Sequence, residues 1–357
     1  MQTVRILVTG NPGLEDIMAL EALEEAGKYA RSVREARGQG RIIVEAEDHP
    51  ALVARLARMR SAHGIVLLLY EGRVGKDRRA LDTIKEAVRG SGIHEHLPRH
   101  STFAVEAERM GEGHEYTSMD IARAVGEAVI NATVERAGWK PMVRLNSPHV
   151  VVYAEVYGED FRVGVSLSGE YSMHRRGYRV YDHPAALKPS IAYSMVRISG
   201  AADGSTIVDP MCGGGTIAIE AALLFESSRI ACMDKSSAHL KGAIANATMA
   251  GVANRVDFIL GDAREMDNYF EPETIEAIIS NPPYGLRMGN PRAVRRLYRL
   301  FMESAWKTLK PKGRIVLITP EKEAIIGIAG KIGLAVKEVR SVRHGDLWAS
   351  IITLAKQ

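Results

Sequence analysis

Three aspartates and an asparagine stand where apolar runs end in the second half of the chain. Asp209 follows TIV, Asp234 follows RIACM, and Asp262 comes two residues after VDFIL. Asn281 follows AIIS and opens the stretch NPPYG. The carboxyl ends of neighbouring strands in an open α/β sheet face one crevice, where ligands bind. We therefore expect these four side chains to line a single site.

The turn after Asp209 is rich in glycine and contains no basic residue. Its sequence is PMCGGGT, in which Gly213, Gly214 and Gly215 lead into a helix that begins near Thr216. Glycine lets the backbone approach a ligand closely and adopt a positive φ. The run is not G-x-G-x-x-G, so it matches a dinucleotide-binding loop poorly. A plain glycine-rich turn is the alternative interpretation.

The two aspartates that follow the turn indicate which ligand it would hold. Asp234 lies roughly 20 residues past the loop, where an acidic side chain accepts hydrogen bonds from ribose hydroxyls. Asp262 could accept a hydrogen bond from an adenine amino group, and Ala263 keeps the adjoining wall small. Two carboxylates and a glycine-rich turn suit S-adenosylmethionine, which is an adenosine without phosphates that carries a positive sulfonium. For each aspartate alone, capping of the next helix is the alternative.

Composition is that of an ordinary soluble globular protein. The chain has 357 residues, of which 46% are hydrophobic and 25% charged, and this length suits two or three cores. No stretch approaches the roughly 18 apolar residues of a membrane span, and the N-terminus lacks the apolar region of a signal peptide. Two cysteines argue against a disulfide framework and fit a reducing cytosol, so we expect a cytoplasmic protein. The net charge is only +4, so nucleic-acid binding must depend on local clusters.

Short strands and helices alternate through residues 1–170. Apolar residues at a spacing of two predict strands, and apolar residues at helical spacing predict helices. The predicted strands are 3–10, 41–47, 64–72, 101–108, 150–158 and 161–169, and the predicted helices are 13–26, 49–59, 77–88 and 118–136. This order predicts one or two small α+β subdomains.

A polar connector, 171–190, separates this half from a second domain. The connector is rich in arginine and tyrosine and is interrupted by two prolines, which is typical of a linking segment. From Ile191 onward strands and helices alternate as in a parallel sheet with helices on both faces. The predicted strands are 206–210, 229–234, 256–262, 277–281, 313–319, 335–342 and 348–355. We predict a doubly wound, seven-stranded domain over 191–357 that ends in an antiparallel hairpin.

Three segments of the chain resemble one enzyme family. NPPY, 281–284, resembles the motif of class I S-adenosylmethionine-dependent methyltransferases that act on exocyclic or amide nitrogens. RRGYRVYDHPAALKPSIA, 175–192, is similar to the connector of THUMP-domain RNA methyltransferases, and NPGLED, 11–16, to the opening of their RNA-binding half. The chain most resembles archaeal and bacterial tRNA (guanine-N2)-methyltransferases of the acceptor stem, the position 6 type. Their sister group, which methylates the junction guanosine at position 10, usually shows D-P-P-Y.

The resemblance implies a fold, a cofactor and a substrate. Residues 1–170 would form a ferredoxin-like element and a THUMP RNA-binding domain, and 191–357 a Rossmann-like, seven-stranded class I methyltransferase domain. The cofactor would be S-adenosylmethionine and the partner tRNA, with no membrane, no metal and a monomeric enzyme.

The resemblance also implies roles for particular residues. The side-chain oxygen of Asn281 and the carbonyl of Pro282 would accept hydrogen bonds from the target amine and orient its lone pair. Tyr284 would stack on a base flipped out of its helix. The residues implied to contact the cofactor are His183, Leu187, Lys188, Cys212, Gly213, Gly214, Gly215, Thr216, Asp234, Asp262, Ala263 and Asn281.

Arginine clusters are the candidates for contacts with RNA phosphates. The candidates are Arg175, Arg176, Arg287, Arg292, Arg295, Arg296 and Arg299, with Arg31, Arg34 and Arg37 as a more dilute group. The last four of the first group would share one face of a predicted helix over 291–301, at positions i, i+3, i+4 and i+7. A solvated helix face is the alternative interpretation.

Two further clusters are assigned no chemistry. His94, His96 and His100 match no standard zinc spacing, so we interpret HEHLPRH as a polar loop. Cys212 has no histidine or acid partner in the sequence, and packing of the loop is a better interpretation than nucleophilic catalysis.

Several other functions remain open from the sequence. The same N2 methylation could act on ribosomal RNA, or on the junction guanosine of tRNA. The NPPY motif also serves adenine-N6 methylation of DNA and glutamine methylation of release factors. An RNA-binding protein with a vestigial methyltransferase fold is the alternative that is not an enzyme.

Overall fold

The computed structural model describes residues 3–169, 172–182, 186–284, 291–344 and 347–357. The chain forms two compact units. The first unit is built from Met1–Gly10 and Met18–Met173, and the second from Asn11–Ile17 and His174–Gln357.

The first unit contains one mixed sheet and helices that pack on it. Its strands are β1 (Thr3–Gly10), β2 (Ala30–Ala36), β3 (Arg41–Glu47), β4 (Ala62–Arg73), β5 (Thr102–Met110), β6 (Met142–Val143), β7 (Val150–Tyr157) and β8 (Asp160–Ser166). Its helices are α1 (Glu15–Ala26, which begins in the second unit), α2 (Pro50–Leu56), α3 (Ala80–Gly90) and α4 (Ser118–Ala137), with 3-10 turns at Gly27–Tyr29 and Ile93–His96.

The first four strands form the predicted ferredoxin-like element. The sheet order is β2-β3-β1-β4-β8-β7-β5-β6, so β1 to β4 lie in the order β4-β1-β3-β2 and follow one another as β-α-β-β-α-β. Antiparallel pairing of β4 with β8 continues the same sheet into the strands that follow. The sequence did not predict β2, because its residues, ARSVREA, are half-buried or exposed and give no apolar alternation.

A buried ion network crosses one end of this sheet. Glu155 is fully buried and accepts hydrogen bonds from the Nε of Arg41 at 2.6 Å and the Nη1 of Arg162 at 2.9 Å. Burial alone would raise the pKa of Glu155, but the two guanidinium groups hold it below its usual value. Since a buried charge is tolerated only with partners, the three side chains fix β3, β7 and β8 as a set.

The second unit has the predicted seven-stranded sheet. Its strands are β9 (Thr206–Asp209), β10 (Arg229–Asp234), β11 (Val256–Leu260), β12 (Ile275–Ser280), β13 (Leu309–Thr319), β14 (Leu334–His344) and β15 (Leu347–Lys356). Its helices are α5 (Pro189–Ile198), α6 (Thr216–Leu224), α7 (Ser237–Met249), α8 (Pro291–Thr308) and α9 (Lys322–Ala329), with 3-10 turns at Ala253–Arg255, Ala263–Asn268 and Gly330–Ile332.

This sheet has the topology expected from the alternation of strands and helices. The strand order is β11-β10-β9-β12-β13-β15-β14. Strand β15 runs antiparallel to β13 and β14, and the other neighbouring strands pair in parallel. Two apolar clusters cover the sheet, one around α5, α6 and α7 and the other around α8 and α9. The ends of β9, β10, β11 and β12 therefore meet at one edge, as predicted.

A short piece of the N-terminal sequence belongs to the second unit. Asn11 is buried; its amide donates to the carbonyl of Arg343 at 3.1 Å, and its side-chain oxygen accepts from Ser190 at 2.9 Å. Leu14 and Ile17 lie in the apolar core of this unit. The sequence analysis had placed all of 1–170 in the N-terminal half.

Candidate functional site

The glycine turn after β9 adopts backbone conformations that favour glycine. Gly213 has a φ of 51° and Gly215 a φ of 79°, both in the left-handed region that side chains disfavour. A Cβ on Gly215 would also lie 3.0 Å from the Cβ of Ala243. The turn leads directly into α6, which begins at Thr216 as predicted.

Asp234, at the end of β10, ties this turn to the sheet. One carboxylate oxygen accepts a hydrogen bond from the backbone N–H of Gly213 at 2.9 Å, and the other accepts from the N–H of Ser236 at 2.9 Å. The next helix, α7, is capped by Ser236, so capping does not explain Asp234. The oxygen that accepts from Ser236 also lies 3.4 Å from the Nδ1 of His239. The oxygen that accepts from Gly213 keeps a second lone pair, which can accept from a ribose hydroxyl.

Asp262 does act as a cap. Its side chain accepts from the N–H of Arg264 and caps the 3-10 turn that begins at Ala263. The guanidinium of Arg264 also donates to both carboxylate oxygens, at 2.9 and 2.6 Å, and these hydrogen bonds hold the pKa of Asp262 below its usual value. The sequence predicted an adenine contact here; the structure adds a cation that fixes the carboxylate.

Asp209, at the end of β9, joins the two halves of the site. It is buried and accepts hydrogen bonds from the hydroxyl of Ser280 at 2.9 Å and the N–H of Met211 at 3.2 Å. Burial, together with the nearby carboxylate of Asp234, raises the pKa of Asp209 to about 7. Because Ser280 directly precedes Asn281, Asp209 connects the glycine turn to the NPPY segment.

The two cysteines form a disulfide, so the expectation of unpaired cysteines was wrong. Cys212 and Cys232 are bonded, with Cα atoms 5.4 Å apart. The two cysteines are close because the glycine turn packs against β10. The N–H of Cys212 donates to the carbonyl of Met233, in β10, at 2.9 Å. Cys212 and Cys232 are both buried. The bond adds a covalent link between the glycine turn and the neighbouring strand.

The NPPY segment orients its asparagine through its own tyrosine. The hydroxyl of Tyr284 donates to the side-chain oxygen of Asn281 at 2.5 Å. Burial raises the pKa of Tyr284 above its usual value, so the hydroxyl stays protonated and can donate. The bond sets the direction of the Asn281 amide.

Tyr298, on α8, holds the same segment from the other side. This residue is fully buried, and its hydroxyl donates to the carbonyl of Pro283 at 2.9 Å. Burial raises the pKa of Tyr298, and the nearby side chain of Thr319, at the end of β13, offsets part of that rise. Tyr298 was not predicted as a site residue, because within RRLYRLF it has the spacing of an ordinary core residue.

Two more residues missed in the sequence anchor the connector. Asn246, on α7, donates from one amide to the carbonyls of Gly214 and Tyr181, at 2.9 and 3.0 Å, and accepts from the N–H of Tyr181. Glu220, on α6, accepts from the hydroxyl of Tyr178 at 2.8 Å. Both are buried, and both tie the connector to the elements that flank the glycine turn.

The remaining predicted cofactor residues are placed as follows. Leu187 is buried in the core of the second unit, and Lys188 precedes α5 at its N-cap position. Ala263 and Thr216 are buried. His183 lies outside the described residues.

The predicted RNA-contacting arginines divide into exposed and paired groups. The helix α8 is confirmed, and Arg292, Arg295, Arg296 and Arg299 all lie exposed on it. Arg299 pairs with Glu303 at 3.0 Å. In the connector Arg175 is exposed, whereas the Nε of Arg176 lies 3.6 Å from the buried Glu220. Arg287 lies outside the described residues.

The more dilute N-terminal arginine group is engaged within the first unit. Arg34 pairs with Glu71 at 2.6 Å, Arg37 with Glu35 at 3.1 Å, and Arg31 donates to Thr3 at 2.6 Å.

The described residues contain neither a metal cluster nor a membrane-spanning helix. In the part of the chain that the structure describes, no group of three or more His, Cys, Asp or Glu side chains could hold a metal ion. Among the helices of those same residues, none is both long and apolar enough to span a bilayer.

The donor set at the strand ends fits an adenosine that carries a positive charge. Asp234 and Asp262 supply carboxylates at two neighbouring strand ends, Asp209 is buried beneath them, and 209–216 contains no cation that would attract a phosphate. Because glycine has no side chain, the positive-φ glycines allow a ligand to approach the backbone of the turn closely. This arrangement suits S-adenosylmethionine better than a dinucleotide.

Comparisons with known proteins agree with both halves of the molecule. A family model described as a THUMP domain matches residues 78–166, and one described as an RMKL-like methyltransferase domain matches residues 176–350. A tRNA (guanine(6)-N2)-methyltransferase of Archaeoglobus fulgidus is 36% identical to this chain, over 98% of this chain and 91% of the relative.

Solved structures show the same architecture. TrmN from Thermus thermophilus is 28% identical, with a TM-score of 0.79 over 99% of this chain and 100% of TrmN. The methyltransferase SMU.472, in complex with SAH, has a TM-score of 0.81 at 19% identity, over 100% of this chain and 99% of its own. At that identity the likeness to SMU.472 is one of fold.

Proposed function

Because the chain belongs to the family of THUMP-containing tRNA (guanine-N2)-methyltransferases, we propose that it methylates the exocyclic N2 of a guanosine in tRNA. The methyl donor is S-adenosylmethionine. The observation that carries the proposal is the Asn281 side-chain oxygen, which Tyr284 orients beside the row of strand-end carboxylates.

The cofactor side of the site is the glycine turn with its aspartates. When bound, S-adenosylmethionine supplies an electrophilic methyl group on a positively charged sulfur. Asp234 accepts from ribose hydroxyls while it holds Gly213, and Asp262 faces the adenine. The buried connector contacts at Asn246 and Glu220 keep the connector beside the turn.

The substrate side is the NPPY segment. The Asn281 oxygen and the Pro282 carbonyl accept the two N–H bonds of the guanine amine. These bonds favour a pyramidal nitrogen, whose lone pair then points at the methyl group. Tyr284 orients Asn281 through its hydroxyl and offers its ring face to the flipped base.

Methyl transfer requires no reactant other than the guanosine and S-adenosylmethionine. A bond forms between the guanine N2 and the methyl carbon as the carbon–sulfur bond breaks, and the sulfur keeps the electron pair and becomes neutral. The nitrogen then loses one proton to water. Asn281 contributes by position and by fixed dipole, and it does not accept the proton.

The half of the chain that precedes the connector holds the RNA. We propose the domain limits 1–170, 171–190 and 191–357, with Asn11–Ile17 packed into the second unit. The match of the THUMP model to 78–166 supports this division. The exposed arginines of α8, together with Arg175, supply phosphate contacts near the acceptor pocket.

The methylated nucleoside is a guanosine of the acceptor stem, at position 6. The name of the Archaeoglobus relative supports position 6, and NPPY rather than D-P-P-Y at 281–284 agrees with it. The enzyme acts on tRNA in the cytoplasm as a monomer, which size-exclusion chromatography with light scattering would test.

Transfer of labelled methyl groups tests the proposal. Protein and labelled cofactor are incubated with separately purified total tRNA and ribosomal RNA. Label is expected in tRNA. Label in ribosomal RNA alone would support the alternative substrate, and no cofactor binding by calorimetry would support an RNA-binding protein without activity.

A further inference from the structure

A buried hydroxyl outside the NPPY motif controls the backbone of that motif. Tyr298 has no exposed surface, and its hydroxyl donates to the carbonyl of Pro283 at 2.9 Å. Pro283 itself is exposed at the surface. The bond therefore ties a surface segment to the interior of the second unit.

The bond removes the last rotational freedom of Pro283. The proline ring already fixes φ near about −65°, so only ψ can vary. The carbonyl of Pro283 turns with ψ, and the hydrogen bond from Tyr298 holds that carbonyl in one direction. The peptide plane that leads into Tyr284 is fixed as a result.

The direction of this peptide plane sets the backbone from which the Tyr284 side chain projects. That hydroxyl donates to the side-chain oxygen of Asn281 at 2.5 Å. A rotation at Pro283 would move the phenol ring and break this contact. Tyr298 thus acts on Asn281 through two hydrogen bonds and one rigid residue.

The Tyr298 hydroxyl also lies near a residue of the sheet. This residue is Thr319, which is fully buried at the end of β13 and accepts from the N–H of Glu321 at 3.0 Å. Because β13 pairs with β12 in parallel, the chain of contacts begins on the strand next to the one that carries Asn281.

We propose that Tyr298 is a positioning residue for methyl transfer, which sets the direction of the Asn281 acceptor through Pro283 and Tyr284. This inference rests on the proposed function. Misplacement of a reacting group costs roughly 10- to 100-fold in rate even when the change is far from the chemistry. We expect the Tyr298→Phe variant to lose kcat by about this factor and to bind S-adenosylmethionine as the wild type does.

The test compares Tyr298→Phe with a matched control. Tyr116→Phe removes a bond of the same kind, since the buried Tyr116 hydroxyl donates to the carbonyl of Gly75 at 2.8 Å in the first unit. Thr319→Val removes a hydroxyl that lies near that of Tyr298. We measure kcat, the KM for tRNA, cofactor affinity and the free energy of unfolding for each.

The proposal predicts a fall in kcat for Tyr298→Phe, a smaller fall for Thr319→Val, and an unchanged kcat for Tyr116→Phe. An unchanged kcat in Tyr298→Phe, or a loss of kcat matched by an equal loss of cofactor affinity, would overturn it.

A second readout does not require activity. In protein labelled with ¹⁵N asparagine, the side-chain amide resonance of Asn281 should shift in Tyr298→Phe and stay in place in Tyr116→Phe. If the wild type does not methylate tRNA, the proposed function is wrong. The position of the Asn281 resonance still shows whether Tyr298 sets the direction of the Asn281 amide. An unmoved resonance in Tyr298→Phe would contradict it.

Discussion

Asn281 is the residue on which the chemistry depends. Tyr284 orients the side-chain oxygen of Asn281. The two prolines that follow Asn281 stiffen the backbone. We predict that Asn281→Ala lowers kcat by about 100- to 1000-fold, because a fixed acceptor aimed at the reacting nitrogen is removed. Cofactor affinity, measured by calorimetry, should barely change. An equal loss of kcat and cofactor affinity would mean that Asn281 supports the fold rather than the reaction.

The buried carboxyl of Asp209 makes stability depend on pH. Burial raises its folded pKa to about 7 from the usual 3.8, so between these values the folded state binds more protons than the unfolded state. Stability from this group is therefore present below pH 4 and is lost as pH rises toward 7. The slope is about 1.4 kcal/mol per pH unit at most. The only charged group acting on Asp209 within the described residues is Asp234.

Asp209→Asn isolates this effect. The amide oxygen still accepts from Ser280 and Met211, but it cannot ionise. We expect the free energy of unfolding of the variant, from urea titrations, to fall less steeply between pH 4 and pH 7 than that of the wild type. Parallel curves for the two proteins would show that Asp209 does not titrate in this range.

Among the elements, the glycine turn and β10 are joined covalently. The disulfide between Cys212 and Cys232 closes a segment with a sequence separation of 20. A loop of this length stabilises the folded state by about 3 kcal/mol through the unfolded chain. We predict that the Cys212→Ala/Cys232→Ala variant loses about this much stability and binds S-adenosylmethionine more weakly.

Dithiothreitol supplies the control for the disulfide. The reductant should destabilise the wild type in urea titrations and leave the double variant unchanged. Equal stability of oxidised and reduced wild type would indicate that the bond does not form in solution.

The elements themselves were largely predictable, whereas their long-range partners were not. Period-two and period-3.6 apolar patterns located the seven strands of the second sheet, because five of them are mostly buried. The strand β2 was missed because its side chains are mostly polar. The disulfide, Asn246 and Tyr298 were missed for another reason: their partners are distant in sequence, and no local spacing encodes them.

For the whole molecule, the order of the domains along the chain was predicted from the sequence. A ferredoxin-like element and a THUMP domain precede a class I methyltransferase domain. The insertion of Asn11–Ile17 into the second unit was not anticipated, since it depends on the buried hydrogen bonds of Asn11 with Ser190 and Arg343. Residue-level geometry and family membership both lead to the same reaction class.

Nucleoside analysis of the product tests the central claim most directly. Total tRNA lacking this modification is incubated with the enzyme and cofactor. One portion is digested to nucleosides and another to oligonucleotides, and both are analysed by mass spectrometry. The account predicts N2-methylguanosine as the new nucleoside, mapped to the acceptor stem, and its loss in the Asn281→Ala variant. A methylated adenosine, or methylguanosine formed equally by the variant, would contradict it.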